Sequence, residues 1–191
     1  RAASGVVMIT TKTGKKNKGL GIEYNGGLQW STILRLPEFQ NEFGMGWNGD
    51  HTELENGSWG PRFDGSMQLW GNKYENSQKL KPYSPIKNNI KDFFDAGFRY
   101  NNSVSFNGAT DKSEYYVSFS QISDDGMVPT DADSYDKYTF SARGSHKVKA
   151  LTFSSSLNYS YQKNKFATTG QGLTMLNSLY QTPRDVSIIS L

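Results

Sequence analysis

The side chains that could do chemistry are few, and their spacing fits no reaction. The 191 residues include no cysteine, which excludes a thiolate nucleophile, a thiolate metal site and a disulfide framework. His51 and His146 stand too far apart in sequence to suggest a zinc centre. No hydroxyl is spaced with a base as a nucleophile would need, and no carboxylates are paired for acid–base work. The expectation is therefore a non-enzyme with no cofactor and no resident metal. Gly44-Met45-Gly46-Trp47-Asn48-Gly49 matches GxGxxG, but that fingerprint cradles pyrophosphate only between a strand and a helix N-terminus. Here the polar stretch PEFQNEF precedes it and Asp50-His51-Thr52 follows, so these read as loop glycines. The basic stretch 12–19 (KTGKKNKG) lacks the Gly-Lys-Ser/Thr ending of a phosphate loop and reads as a solvated connection. Asp131, Asp133 and Asp136 could ligate calcium, yet Tyr135 takes the fifth position and Asp136 the place of the required glycine. They read as a solvated acidic loop. Asn-x-Ser triplets at Asn56, Asn101 and Asn158 read as coincidence in an Asn/Ser-rich chain, since two fall inside expected strands.

The elements that would position any site are β-strands. Hydrophobic residues make up 35% of the chain, while 11 Tyr, 11 Phe, 4 Trp and 19 Gly dominate its character, which argues against a Leu/Ala-rich helical bundle. A net charge of +3 gives no case for nucleic acid. No run approaches the roughly 20 apolar residues of a spanning helix, but a spanning strand needs only about 9–11 and hides in the average hydropathy.

Gly5–Thr11 (GVVMITT) reads as a strand buried on both faces. From Leu20 the period becomes two. Leu20, Ile22, Tyr24, Leu28 and Trp30 alternate with polar residues, and the pattern returns from Phe98 to Gly108 and around Tyr115–Phe119. It appears again at Tyr138–Ala142 and at Leu151–Tyr161. The connections run long, short, medium, short, long, as in an up-and-down meander with loops at one end and turns at the other. With the strands so directed, Trp30, Phe98, Tyr100, Tyr138, Tyr159 and Tyr161 fall near one rim and Tyr115 near the other. Aromatics sort this way at a membrane interface, where the ring prefers lipid and the N–H or O–H prefers water. The opposite face is small and polar, as suits a wet lumen. Five strands cannot close a barrel, and open edges cannot sit in lipid, so the chain reads as a piece of something longer. Ser84–Phe94 is expected to form a short amphipathic helix with Pro85 at its first position, and Leu173, Leu176 and Tyr180 mark another helical turn.

Five stretches resemble the SusC/RagA-type TonB-dependent transporters, in the family's order. They are RAASGVVMITTKTGKKNKG at the start, SWGPRFDG over Ser58–Gly65, the segments around FFDAGFRYNNSVSFNGATDKSEYYVSFS and DDGMVPTDADSYDKYTFSARGSHKV, and LYQTPRDV over Leu179–Val186. Ser4 stands where the family commonly has Asn. The resemblance implies an all-β architecture: residues 1–17 as the end of a plug domain, and 18–191 as the first five strands of a 22-stranded antiparallel transmembrane barrel. Its long extracellular loops would cover about 32–97, 124–135 and 164–191. It further implies residence in the outer membrane of a Gram-negative bacterium, a SusD-like surface lipoprotein as partner, and coupling to TonB through a segment outside this stretch. The imported cargo would be an oligosaccharide or oligopeptide. Trp59, Arg62 and Asp64 in the first long loop, and Arg184 and Asp185 in the last, are the candidates for touching cargo: an aromatic stacks on a sugar ring, and a charge hydrogen-bonds hydroxyls or peptide groups. Pro61 beside Gly60, and a pairing of Arg62 with Asp64, make a loop-shaping role the stronger expectation there. The alternative reading of the whole chain is a water-soluble β-sandwich that binds carbohydrate at a cell surface.

Overall fold

The computed structural model describes residues 20–54, 56–168 and 170–189. The strand expected at Gly5–Thr11, the basic connection and the plug segment 1–17 lie outside them. The described chain forms two compact units.

The first unit is one antiparallel sheet. Its strands are β1 (Gly21–Ser31), β4 (Gly97–Ala109), β5 (Ser113–Asp124), β6 (Tyr135–Val148) and β7 (Leu151–Asn164), in the order β1-β4-β5-β6-β7. These are the five segments whose period-two pattern is read above. Register is continuous from β4 to β7, for example Val104↔Phe119↔Phe140↔Tyr159 and Phe106↔Val117↔Ala142↔Leu157. β1 runs antiparallel to β4, since Tyr24 Oη donates to Asn102 Oδ1 at 2.7 Å near the middle while the Trp30 and Phe98 rings meet 5.2 Å apart at the end.

Parity in this register puts Ile22, Tyr24, Leu28, Trp30, Val104, Phe106, Phe119, Phe140 and Leu157 on one face, with Ser, Thr, Asn and charged residues opposite. The apolar face is bare: Leu28 is 64% exposed, Leu157 59% and Phe140 36%. On the polar face Ser105 is only 7% exposed, and Tyr116 and Ile122 interrupt the small residues. Across one end of the apolar face runs a row of aromatics. Phe98 and Tyr100 lie 6.2 Å apart, Tyr138 and Tyr161 6.4 Å, and Gln121 Nε2 bridges the two pairs by donating to Tyr100 Oη and Tyr138 Oη. Tyr159, expected in that row, sits one step toward the middle beside Phe140. Tyr115 lies at the other end, its ring over Gly108, where any side chain would strike it at 2.7 Å.

The short connections are the three-residue turn 110–112, held by Thr110 Oγ1 accepting from Ser113 N, and the two-residue turn Lys149-Ala150, with Lys149 at φ 53°. The three long connections leave from the opposite end of the sheet.

The second unit comprises 31–97, 126–133 and 166–189 of the described chain. The first loop contains a hairpin that the hydropathy pattern does not announce, β2 (Met67–Tyr74) paired with β3 (Ser77–Pro82). Its turn is Glu75-Asn76, both left-handed at φ 47° and 60°, a geometry usually given to Asn-Gly. The Trp70 ring takes Lys81 Nζ at 4.4 Å and Lys79 Nζ at 5.5 Å. The helix expected over Ser84–Phe94 is absent. Separate turns occupy the stretch, closed by Asn89 N→Ile86 O, Asp92 N→Asn88 O and Phe94 N→Lys91 O. Its Asn and Asp residues bond poorly within a helix, and the Ile86 and Lys87 carbonyls are taken by a side chain from far along the chain. The second expected helix is present as α1 (Met175–Gln181), capped by Thr174 Oγ1 accepting from Asn177 N; Leu173 lies outside it, fully exposed. No helix among the described residues is long and apolar enough to cross a membrane, which says nothing about crossing by strands.

Replacing Glu75-Asn76 by Asn-Gly removes left-handed strain from two positions that bear side chains. It should stabilise the β2–β3 hairpin by about 1 kcal/mol, read as slower amide exchange at Trp70 and Lys79 in the intact protein.

Candidate functional site

The five candidate residues divide into an exposed group and a buried one, both within the second unit. Gly44–Asp50 and Gly57–Phe63 are zipped together by backbone bonds, including Gly46 N→Gly57 O, Trp59 N→Gly46 O, Gly60 N→Gly44 O and Phe63 N→Glu42 O. The GxGxxG stretch is thus one side of a ladder with a tight turn at Trp47–Asp50, where Asn48 and Gly49 are left-handed at φ 54° and 85°. No helix follows to offer N–H groups to a phosphate. Gly44 leaves room for the Tyr83 ring, which a side chain would strike at 2.7 Å.

On this ladder Trp59 is 55% exposed and packs its ring 5.8 Å from Phe43. Arg62 does not pair with Asp64. Its Nη2 meets Glu42 Oε2 at 2.7 Å in the open, and its guanidinium lies over Phe43. Asp64 Oδ1 instead accepts from Ser66 N at 2.9 Å and Ser66 Oγ at 2.7 Å, closing the turn into β2. Those bonds from Ser66, first its hydroxyl and then its amide, hold the Asp64 carboxyl below its usual pKa.

Arg184 and Asp185 are interior, at 4% and 2% exposure. Arg184 Nε donates to Gln40 O at 3.0 Å; Nη2 donates to Asn41 Oδ1 at 2.8 Å and reaches the Ile86 and Lys87 carbonyls at 3.4 Å. Its guanidinium lies over the Phe39 ring. Asp185 Oδ1 accepts from Met45 N at 2.8 Å, and its backbone carbonyl accepts from Lys81 Nζ. Ile86 N donates to Arg184 O, while Asn89, also buried, bonds both Val186 O and Ile188 N. In this structure Thr182–Ile188 is a staple that joins Gln40–Met45 to Lys81–Asn89, and both charged side chains take part in it. Sequence reasoning placed them at a mouth because charged residues are rarely interior; Asn89 and Tyr83, which complete the staple, carried no signal of their own.

Burial lowers the Arg184 pKa, and it lowers that of Lys81 too, where Asp185 opposes and Lys79 adds to the fall. Tyr83, whose Oη donates to Pro61 O at 2.7 Å, is raised by burial and then by Asp185, with the Gly44 amide opposing. Among the described residues no three metal-ligating side chains cluster, and in the acidic loop both Asp133 oxygens accept backbone amides, from Met127 and Val128.

No family model matches the chain. Over 175 residues, 91% of its length, it is 23% identical to the TonB-dependent receptor SusC of Bacteroides thetaiotaomicron. The chain resembles a stretch of SusC. It spans about 15% of that relative's length, so the SusC-like portion in hand is a mostly antiparallel β segment with one short helix.

Arg184→Lys keeps the charge but loses the fork. It should destabilise the second unit by at least about 1–3 kcal/mol, the cost of one buried acceptor left without a donor. Arg62→Lys at the open ion pair should cost under about 1 kcal/mol, and denaturant melts of the two variants read the difference. A raised phenol pKa contributes stability below the ordinary tyrosine value of 10.0, and that contribution is lost as pH rises through the folded value. Lys81 acts oppositely, its cost easing as pH climbs toward 10.5. Tyr83→Phe should therefore flatten the fall in melting temperature above about pH 10.

Proposed function

We propose that this chain is part of the wall of a TonB-dependent outer-membrane transporter, with the five-stranded sheet as lipid-facing barrel wall and the second unit built from the loops of its mouth. The observation that carries the reading is the bare apolar face of strands 11–14 residues long, backed by a polar face. A water-soluble sandwich would cover Leu28, Phe140 and Leu157 with a second layer; lipid covers them without one. The strand lengths meet or exceed the about 9–11 residues that cross a bilayer, and the aromatic row from Trp30 to Tyr161 suits an interface. The similarity to SusC supports the same reading. By that analogy the protein imports oligosaccharides or oligopeptides, a SusD-like lipoprotein closes the mouth, TonB drives uptake, and no catalytic step is involved. Trp59, on the exposed side of the Gly44–Phe63 ladder, is the candidate for stacking on cargo.

Adjacent residues in the middle of β7 test the lipid assignment. Leu157→Arg should lower stability by about 2–4 kcal/mol in bilayers, as a charge near the midplane does, while Asn158→Arg, facing the lumen, should change it by less than about 0.5 kcal/mol. Equal tolerance of both, measured by urea unfolding of the intact protein in lipid, would remove the membrane reading. Cargo class is read separately, by growth or uptake on glycans against peptides with Trp59→Ala.

A further inference from the structure

Among the described residues the Arg184 cation of the staple meets no carboxylate. The partners of its guanidinium are carbonyl and amide oxygens of Gln40, Asn41, Ile86 and Lys87. Asp185, its neighbour in sequence, turns its carboxylate to Met45 N instead. All these contacts use Nε and Nη2; Nη1 makes no hydrogen bond among the described residues and is not a sealed, unsatisfied atom. Arg184 lines a cavity of about 360 Å³. Lys87 and Lys91 line it as well, with Asn41 and Asn88 as neutral donors and Glu38 as the acid on its wall. Charges on the wall therefore sum to positive, with one guanidinium fixed by burial and two ammonium groups on exposed residues free to adjust. An ion desolvated to this degree is costly unless paired, and a guanidinium lining a polar cavity suits an oxyanion.

We infer that the cavity between Leu36–Asn41 and Lys87–Lys91 binds a single oxyanion group, a phosphate or carboxylate, on Arg184 Nη1 with Lys87 and Lys91 as its further contacts. The site lies within the second unit and does not depend on the transport reading. Ligand there would also tie the first long loop to the staple, because its three cationic contacts come from segments about a hundred residues apart.

The test uses the intact protein in detergent, titrated with inorganic phosphate and separately with acetate, chloride being exchanged to hold ionic strength constant. The wild type should show a saturable rise in melting temperature with at least one of the two anions, and crystals soaked in selenate should show an anomalous peak beside Arg184 Nη1. Lys87→Met with Lys91→Met leaves the staple intact, so its melting temperature without anion should match wild type while anion affinity falls about tenfold. Preference for phosphate over acetate identifies which source of the group the site takes. No saturable rise in the wild type, as when a carboxylate of the protein itself already fills the cavity, overturns the inference. An equal rise in the double variant, as non-specific ion effects would give, overturns it too.

Discussion

A β-sheet answers for its backbone only in the middle. Within the five-stranded sheet the peptide groups of β4, β5 and β6 are paired on both sides, whereas β1 and β7 stand at the ends of the order among the described residues. β7 is exposed along all 14 of its residues. A long, regular, unprotected edge of this kind templates pairing with another strand, and water-soluble proteins blunt theirs with bulges, prolines or inward charges. β7 has no proline, and its register with β6 runs unbroken from Leu151 to Asn164, with Lys163 the one charge on the side of Tyr159 and Tyr161. Both edges and the bare apolar face are what the proposed barrel wall would cover.

The second unit solves a different problem. Its loops are rich in polar residues and bury few apolar ones; Tyr83, Ile90 and Leu179 are the buried hydrophobics among the described residues. With so small an apolar core, cohesion comes from hydrogen bonds between distant segments, and Arg184 is well suited to that work because one planar group can hold several carbonyls at once. Neutral acceptors leave the cation uncompensated, which is tolerable where the side chain borders a polar cavity and less so in an oily interior.

The sheet was legible in the sequence because its signal is repeated and local: each of the five strands alternates in type over several residues, and a register error would turn Phe119 or Leu157 onto the polar face. The second unit was not, for reasons visible residue by residue. Ser84–Phe94 has the cap, the proline and the apolar spacing of a helix, but helical bonding there competes with Arg184 for the Ile86 and Lys87 carbonyls. The β2–β3 hairpin turns on Glu-Asn where a left-handed Gly would have advertised it. Arg184 and Asp185 look like surface residues because burial of charge depends on partners that no local window contains. The loop-shaping expectation for Pro61 and Gly60 matches the ladder they close, although Arg62 found Glu42 rather than Asp64.

The staple also sets an order of events. Asp185 caps the amide of Met45 across 140 positions, and Asn89 meets Val186 and Ile188 across nearly a hundred. The Gly44–Phe63 ladder and the hairpin are closed by short-range contacts, which form before long-range ones, whereas the residues that fasten them lie about a hundred positions away. Until those are in place the first loop is an assembly of small pieces with little to hold them, and its closure entropy is paid only when the late segment docks. A polypeptide clipped ahead of Thr182 would leave those pieces unjoined and the early loop open to local unfolding.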